Sequence, residues 1–200
     1  MASAKEALAR LRALATAKDR ANLARFGIAA RNPLGVSMKN IQAVARELGP
    51  SHDLALALWA TDCYEARLLA AYVDEPARVT GAQMDEWCAE FDNWGFCDTL
   101  CFVLFDKTPL AWTRVEAWGR RDEEYVKRAG FALLASLCGH DKKSGDAPFL
   151  ASLPLIEAGA ADDRAMVQKG VSWALRSLGR RSREVGQAAL ALAQRLAQSE

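Results

Sequence analysis

Apolar residues recur along this 200-residue chain at intervals of three and four, the spacing of one face of an α-helix. In residues 3–25, Leu8, Leu11, Leu14 and Ala15 form such a stripe, which predicts one helix ending at Phe26-Gly27. Asn32-Pro33-Leu34-Gly35 is turn chemistry. Residues 38–48 follow a Ser37 cap and stop before Gly49-Pro50, and residues 52–60 follow Ser51. Asp62 is placed to cap 63–73, with Glu65 three residues on completing a capping box. Thr80 caps 81–91 and Asn93 caps 94–105; Pro109 suits the first position of 109–118. Four more helices are expected at 122–138, 146–158, 163–178 and 182–198, divided by Gly, Pro and Asp.

Composition sharpens this into a fold class. There are 39 Ala and 25 Leu but only 19 Val, Ile and Thr together, so helix formers dominate and strand formers are scarce. Short links between helices give antiparallel neighbours. A helix-turn-helix period of about 40 residues is that of stacked helical repeats. The expectation is an all-α protein, an α-solenoid of stacked antiparallel helix pairs forming a single domain over 1–200. No run approaches the roughly 18 apolar residues of a membrane span, and the charged stretch 1–25 lacks the apolar core of a signal peptide. The five Cys lack regular spacing and sit among Ala, Leu and Phe, so they read as free buried thiols in a reducing cytoplasm. With two distant His and no CxxC pair, no metal site and no cofactor are expected. Gly-rich phosphate loops, GxSxG and dinucleotide fingerprints are absent.

The net charge of +1 is uninformative, but its distribution is not. Residues 164–183 hold six basic residues (Arg164, Lys169, Arg176, Arg180, Arg181, Arg183) and no acid, and a local block of one sign sets the field at that surface. On the same helix, Met166, Val167, Gly170, Val171, Ala174, Leu175 and Leu178 share the core side. Trp173 falls roughly 120° away, on the side of Lys169, Arg176 and Arg180. An aromatic ring in a cationic stripe suits phosphates and sugar or base faces; the alternative is a Trp covering a seam between helices. Asp98 is the only charge between Trp94 and Phe105. An acid in so apolar a helix needs a compensating cation or donor, which makes it a functional candidate or one half of a structural pair. Arg128 points nearly opposite the core stripe Val126, Gly130, Leu133 and Leu137, beside Ala132 and Ala135, which leave room for a partner. It reads as a phosphate or carboxylate ligand, or as a solvent-facing Arg.

Five stretches carry a family resemblance: FGIAARNPLGV (26–36), LALALWATDCYEARLLAAYV (54–73), WCAEFDNWGFCDTL (87–100), EEYVKRAGFALLASLCGHDKK (123–143) and DDRAMVQKGVSWALRSLGRR (162–181). Together, in this order, they resemble the HEAT-like-repeat DNA glycosylases of the AlkD type, the DNA alkylation repair family. The most specific parts are W-x-x-x-D at Trp94–Asp98 and W-A-L-R at Trp173–Arg176. Two positions depart from the pattern: Gly95 stands where relatives often carry Asp, and Tyr125 where they carry Trp.

The resemblance implies a HEAT-like-repeat fold gripping duplex DNA that contains alkylated bases. It implies excision of cationic alkylpurines such as 3-methyladenine and 7-methylguanine without pulling the base into a pocket. Trp94, Asp98 and Trp173 match the residues that cradle the damaged nucleotide's sugar; Arg128 and Arg176 match backbone-binding arginines, with Lys169, Arg180 and Arg181 beside them in the basic block. An alkylated purine is already cationic and leaves readily, so one carboxylate suffices and no general acid is needed. Asp98 then stabilises the sugar oxocarbenium ion and orients water. The expected setting is a bacterial-type cytoplasmic monomer, nucleoid-associated when bound, with no membrane and no obligate protein partner. Two other readings remain open: a DNA-structure binder without catalysis on the same fold, and a helical protein-interaction scaffold.

Overall fold

The computed structural model describes residues 2–198. Among them are thirteen α-helices and no strand: α1 Ala4–Ala13, α2 Ala17–Arg25, α3 Met38–Leu48, α4 His52–Trp59, α5 Tyr64–Val73, α6 Gly81–Ala89, α7 Trp94–Val103, α8 Ala111–Gly119, α9 Glu124–His140, α10 Ala147–Ala151, α11 Leu153–Ala160, α12 Ala165–Leu178 and α13 Arg183–Ala197. A 3-10 turn, Phe105–Lys107, follows α7.

Most helices start where side-chain chemistry says they should. Ser37, Ser51, Thr80 and Asn93 each accept a hydrogen bond from the amide three residues on, at Asn40, Leu54, Gln83 and Phe96. Each such cap satisfies an amide that has no partner inside the helix and stabilises by about 1 kcal/mol.

Four expectations change. The single helix over 3–25 is two, because Thr16 takes extended backbone and its side chain accepts from the Asp19 amide, starting α2 inside an Ala-rich run. Asp62 is not a cap: its φ is +51°, and the cap position of α5 is Cys63, with no side-chain hydrogen bond. Glu65 turns away from its own helix instead and accepts from the amides of Leu34, Gly35 and Val36 at 2.8, 2.7 and 3.2 Å, pinning the segment between α2 and α3. The helix after Pro109 begins only at Ala111. The helix over 146–158 breaks at Ser152, with Pro148 and Pro154 each in the first turn of a piece, where a missing amide costs nothing.

The helices pack in two rows. In one, α3 lies on α5, α5 on α7, α7 on α9, and α9 on α12. In the other, α4 backs α5, α8 backs α9, and α11 and α13 back α12. One cluster of buried apolar residues runs through both, from Ala7 to Leu192. The helix α9 is its axis, with a near-continuous buried run from Arg128 to Cys138. It can lie this deep because α8 approaches it backbone to backbone. A Cβ on Gly130 would collide with the Gly119 amide nitrogen and lie 2.8 Å from the Gly119 Cα.

All five Cys are free and buried. Burial pushes the Cys88, Cys97 and Cys101 thiols up and Cys138 to about 12, so none offers a thiolate nucleophile. Among the described residues no helix is long and apolar enough to cross a membrane.

Candidate nucleic-acid interface

The site is assembled from α7, α9 and α12, the three helices at one end of the first row. On α7, Trp94, Asp98 and Phe102 recur every fourth residue, so they form one stripe about 12 Å long. Asp98 is partly exposed, its side chain at 21%. Both its oxygens are engaged: Arg128 Nε donates to Oδ1 at 3.0 Å and Nη2 to Oδ2 at 2.8 Å. The third arm of the guanidinium, Nη1, donates to the Met166 carbonyl on α12 at 2.8 Å. One buried cation thus ties three helices together and fixes the plane of the carboxylate. Burial pushes the Asp98 carboxyl above the usual carboxylate range, while the Arg128 guanidinium works against that shift.

Of the readings open for Arg128, the structure takes the carboxylate ligand, not the backbone-phosphate role that the resemblance implies. Arg128 is 6% exposed, and the room left by Ala132 and Ala135 is closed by the chain itself, since both alanines are buried beneath the neighbouring helices. Three of its five N–H groups are committed within the protein, so its place is that of a positioning residue for Asp98. The pair joins residues 30 apart in sequence. The readable signal was that the isolated acid and the unmatched arginine each lacked a partner.

The two Trp residues flank this pair. Trp94 is half-buried, and its Nε1 donates to the Phe26 carbonyl at 3.0 Å, which anchors the ring to the chain after α2. Trp173 on α12 stacks on Phe102, centroids 5.1 Å apart and planes within 7°. The stack reaches across α9 to the residue one turn beyond Asp98. Trp94, Asp98 and Trp173 therefore gather on one connected surface, with Phe102 as the link that pattern alone did not identify. Gly95 explains itself sterically: a Cβ there would lie 2.6 Å from the Tyr64 hydroxyl and 3.2 Å from Ile28 Cδ1, so this packing has no room for a side chain. Tyr125 is partly buried at the start of α9, its carbonyl accepting from the Cys97 thiol.

The basic block divides. Lys169, Arg176 and Arg180 face solvent on or just beyond α12, and Arg176 Nη1 donates to Ser172 Oγ at 2.7 Å. Lys169, Ser172 and Arg176 line a shallow hollow beside Trp173. Arg181 does not join them. Its guanidinium lies over the Phe149 ring, 4.3 Å from the centroid, and donates to the Ser144 and Cys138 carbonyls, closing the end of α9. Arg164 is likewise occupied, by Asp162 and the Asp122 carbonyl.

Two rows of stacked helices are the HEAT-like-repeat arrangement. The chain belongs to the DNA alkylation repair enzyme family, whose model matches residues 7–199. Among solved structures it is similar to a protein from a family related to the HEAT-like repeat DNA glycosylases with affinity for branched DNA structures. The TM-score is 0.87 at 17% identity, over 98% of this chain and 83% of that one; at that identity the likeness carries the fold. No curated protein matches significantly.

Proposed function

We propose that this chain binds duplex DNA across the α7, α9 and α12 surface and hydrolyses the N-glycosidic bond of cationic alkylated purines, 3-methyladenine and 7-methylguanine among them, without drawing the base into a pocket. The observation that supports this most is the Asp98 carboxylate, held in a fixed plane by Arg128 and partly open to solvent, on the same surface as two indole rings. As the bond from C1′ to the purine nitrogen breaks, the bonding pair goes to the base, which leaves uncharged. Positive charge grows on C1′ and O4′. A preorganised carboxylate is attracted to that charge more strongly in the transition state than in the ground state. The faces of Trp94 and Trp173 add cation–π attraction of about 0.5–2 kcal/mol each. Water then adds to C1′ and loses its proton. Trp94, Asp98 and Trp173 are the residues assigned to this chemistry; Lys169, Arg176 and Arg180 are assigned to the phosphate backbone.

One observation favours a second reading. Both Asp98 oxygens already serve Arg128, and a partner so well satisfied is also what a purely structural pair looks like. On that reading the protein recognises DNA structure and cleaves nothing, in line with the branched-DNA affinity of the similar protein's family. Incubation with methylated duplex DNA, beside a binding assay on a four-way junction, separates the two. Release of 3-methyladenine or 7-methylguanine is the expected result; tight junction binding with no base released would replace the first reading with the second.

A further inference from the structure

Beyond Phe102 the surface continues into a second cluster with no role in the chemistry above. The His140 ring packs edge-on to Phe102, centroids 5.4 Å apart, the same ring on which Trp173 stacks. His140 ends α9 and its side chain is half exposed. Its Nδ1 is in hydrogen-bond contact with Asp106 Oδ2, which also accepts from Ser136 Oγ at 2.6 Å. The Asp106 side chain is fully buried, and its Oδ1 has no hydrogen-bond partner among the described residues. As a carboxylate, Asp106 only accepts, so Nδ1 carries the proton and Nε2 is the ring nitrogen left for solvent. A cavity of about 550 Å³ borders His140 and is lined also by Lys107, Lys142, Lys143, Asp106 and Asp141.

Three lysines and two aspartates line it. Lys142 and Lys143 are exposed. Lys107 Nζ donates to the Val103 carbonyl at 2.7 Å, with further N–H groups to spare. Of the two acids, Asp106 has a fully buried side chain whose Oδ2 is taken by His140 and Ser136. Asp141 is consumed by the Trp112 indole N–H and the Lys143 and Ser144 amides, which hold its carboxyl well below the usual range.

We infer that this cavity is a binding subsite for a backbone phosphate of the DNA strand that runs past Trp173, with His140 Nε2 as the donor and Asp106 as its positioning residue. The inference rests on the DNA-binding part of the reading above and adds a contact point at the end of α9. Donation from Nε2 as well as Nδ1 requires the imidazolium form, so the inferred subsite holds the phosphate with His140 protonated, between one buried acceptor and one brought by the ligand.

The test is binding of a fluorescein-labelled undamaged duplex to wild type, His140→Ala, Asp106→Asn and Lys169→Ala over a range of salt. His140→Ala should weaken binding by about 5-fold or more and lower the slope of log affinity against log salt by about 0.9. Asp106→Asn carries the diagnostic sign. Removing a negative charge near DNA should tighten binding by simple electrostatics, whereas loss of the carboxylate that supports the protonated, doubly donating His140 should weaken it. Unchanged affinity in His140→Ala, or tighter binding in Asp106→Asn, overturns the inference. Should Asp106→Asn not fold, Lys142→Ala combined with Lys143→Ala takes its place and must also weaken binding and flatten the slope. Calorimetric titration with inorganic phosphate alone should give no saturable signal; one that His140→Ala removes would make this a free-phosphate site and overturn the DNA assignment. If Lys169→Ala weakens binding but His140→Ala does not, only this subsite fails. If wild type has no salt-sensitive affinity at all, the DNA reading fails with it.

Discussion

Asp98 was legible as a candidate from its isolation in an apolar helix, whereas its dependence on Arg128 was not. Helical periodicity places a side chain on a face but says nothing about which residue of another helix meets it. The same limit hid Trp94's bond to the Phe26 carbonyl and the Phe102–Trp173 stack. Burial at Asp98 has a measurable consequence. Because desolvation raises its carboxyl above the 3.8 of an unperturbed aspartate, the group becomes protonated at a higher pH than an exposed one. On the proposed mechanism excision depends on the charged form, so the rate should fall as pH drops through a midpoint above 3.8. A pH–rate profile of wild type checks this; a rate that stays level well below that value would mean that the carboxylate is not used.

Helices were easier to read than side-chain partners, because caps and stripes are local. Ser37, Ser51, Thr80 and Asn93 act where the sequence placed them. Two of the errors came from side-chain partners that periodicity does not show. Glu65 went to the amides of 34–36 instead of capping α5, and Thr16 started a new helix where the apolar stripe ran on. The contact of α8 with α9 through Gly119 and Gly130 yields a prediction at this scale. Gly130→Ala forces a methyl into the α8 backbone, which cannot swing aside as a side chain can. The expected cost is roughly 1–3 kcal/mol, or several degrees in Tm, read by thermal melting. A melting temperature equal to wild type would show that the two helices can part without penalty.

For the molecule as a whole, the α-solenoid follows from composition, short links and repeat length. The order in which the rows stack does not, since it is set by contacts between residues 28 to 38 apart, such as Arg128 with Asp98 and with Met166. The basic surface was legible as a block of sequence but not in its division: Lys169, Arg176 and Arg180 face out, while Arg181 turns in to close α9. What the stacking achieves is to bring an acid from α7, a cation from α9 and an indole from α12 to one surface. The most direct test of that claim is the single-turnover rate of 3-methyladenine release from saturating alkylated duplex by wild type and Asp98→Asn. The variant should bind DNA at least as tightly as wild type yet excise at least about 100-fold more slowly, the scale of a lost preorganised charge. Equal rates in the two proteins would contradict the account.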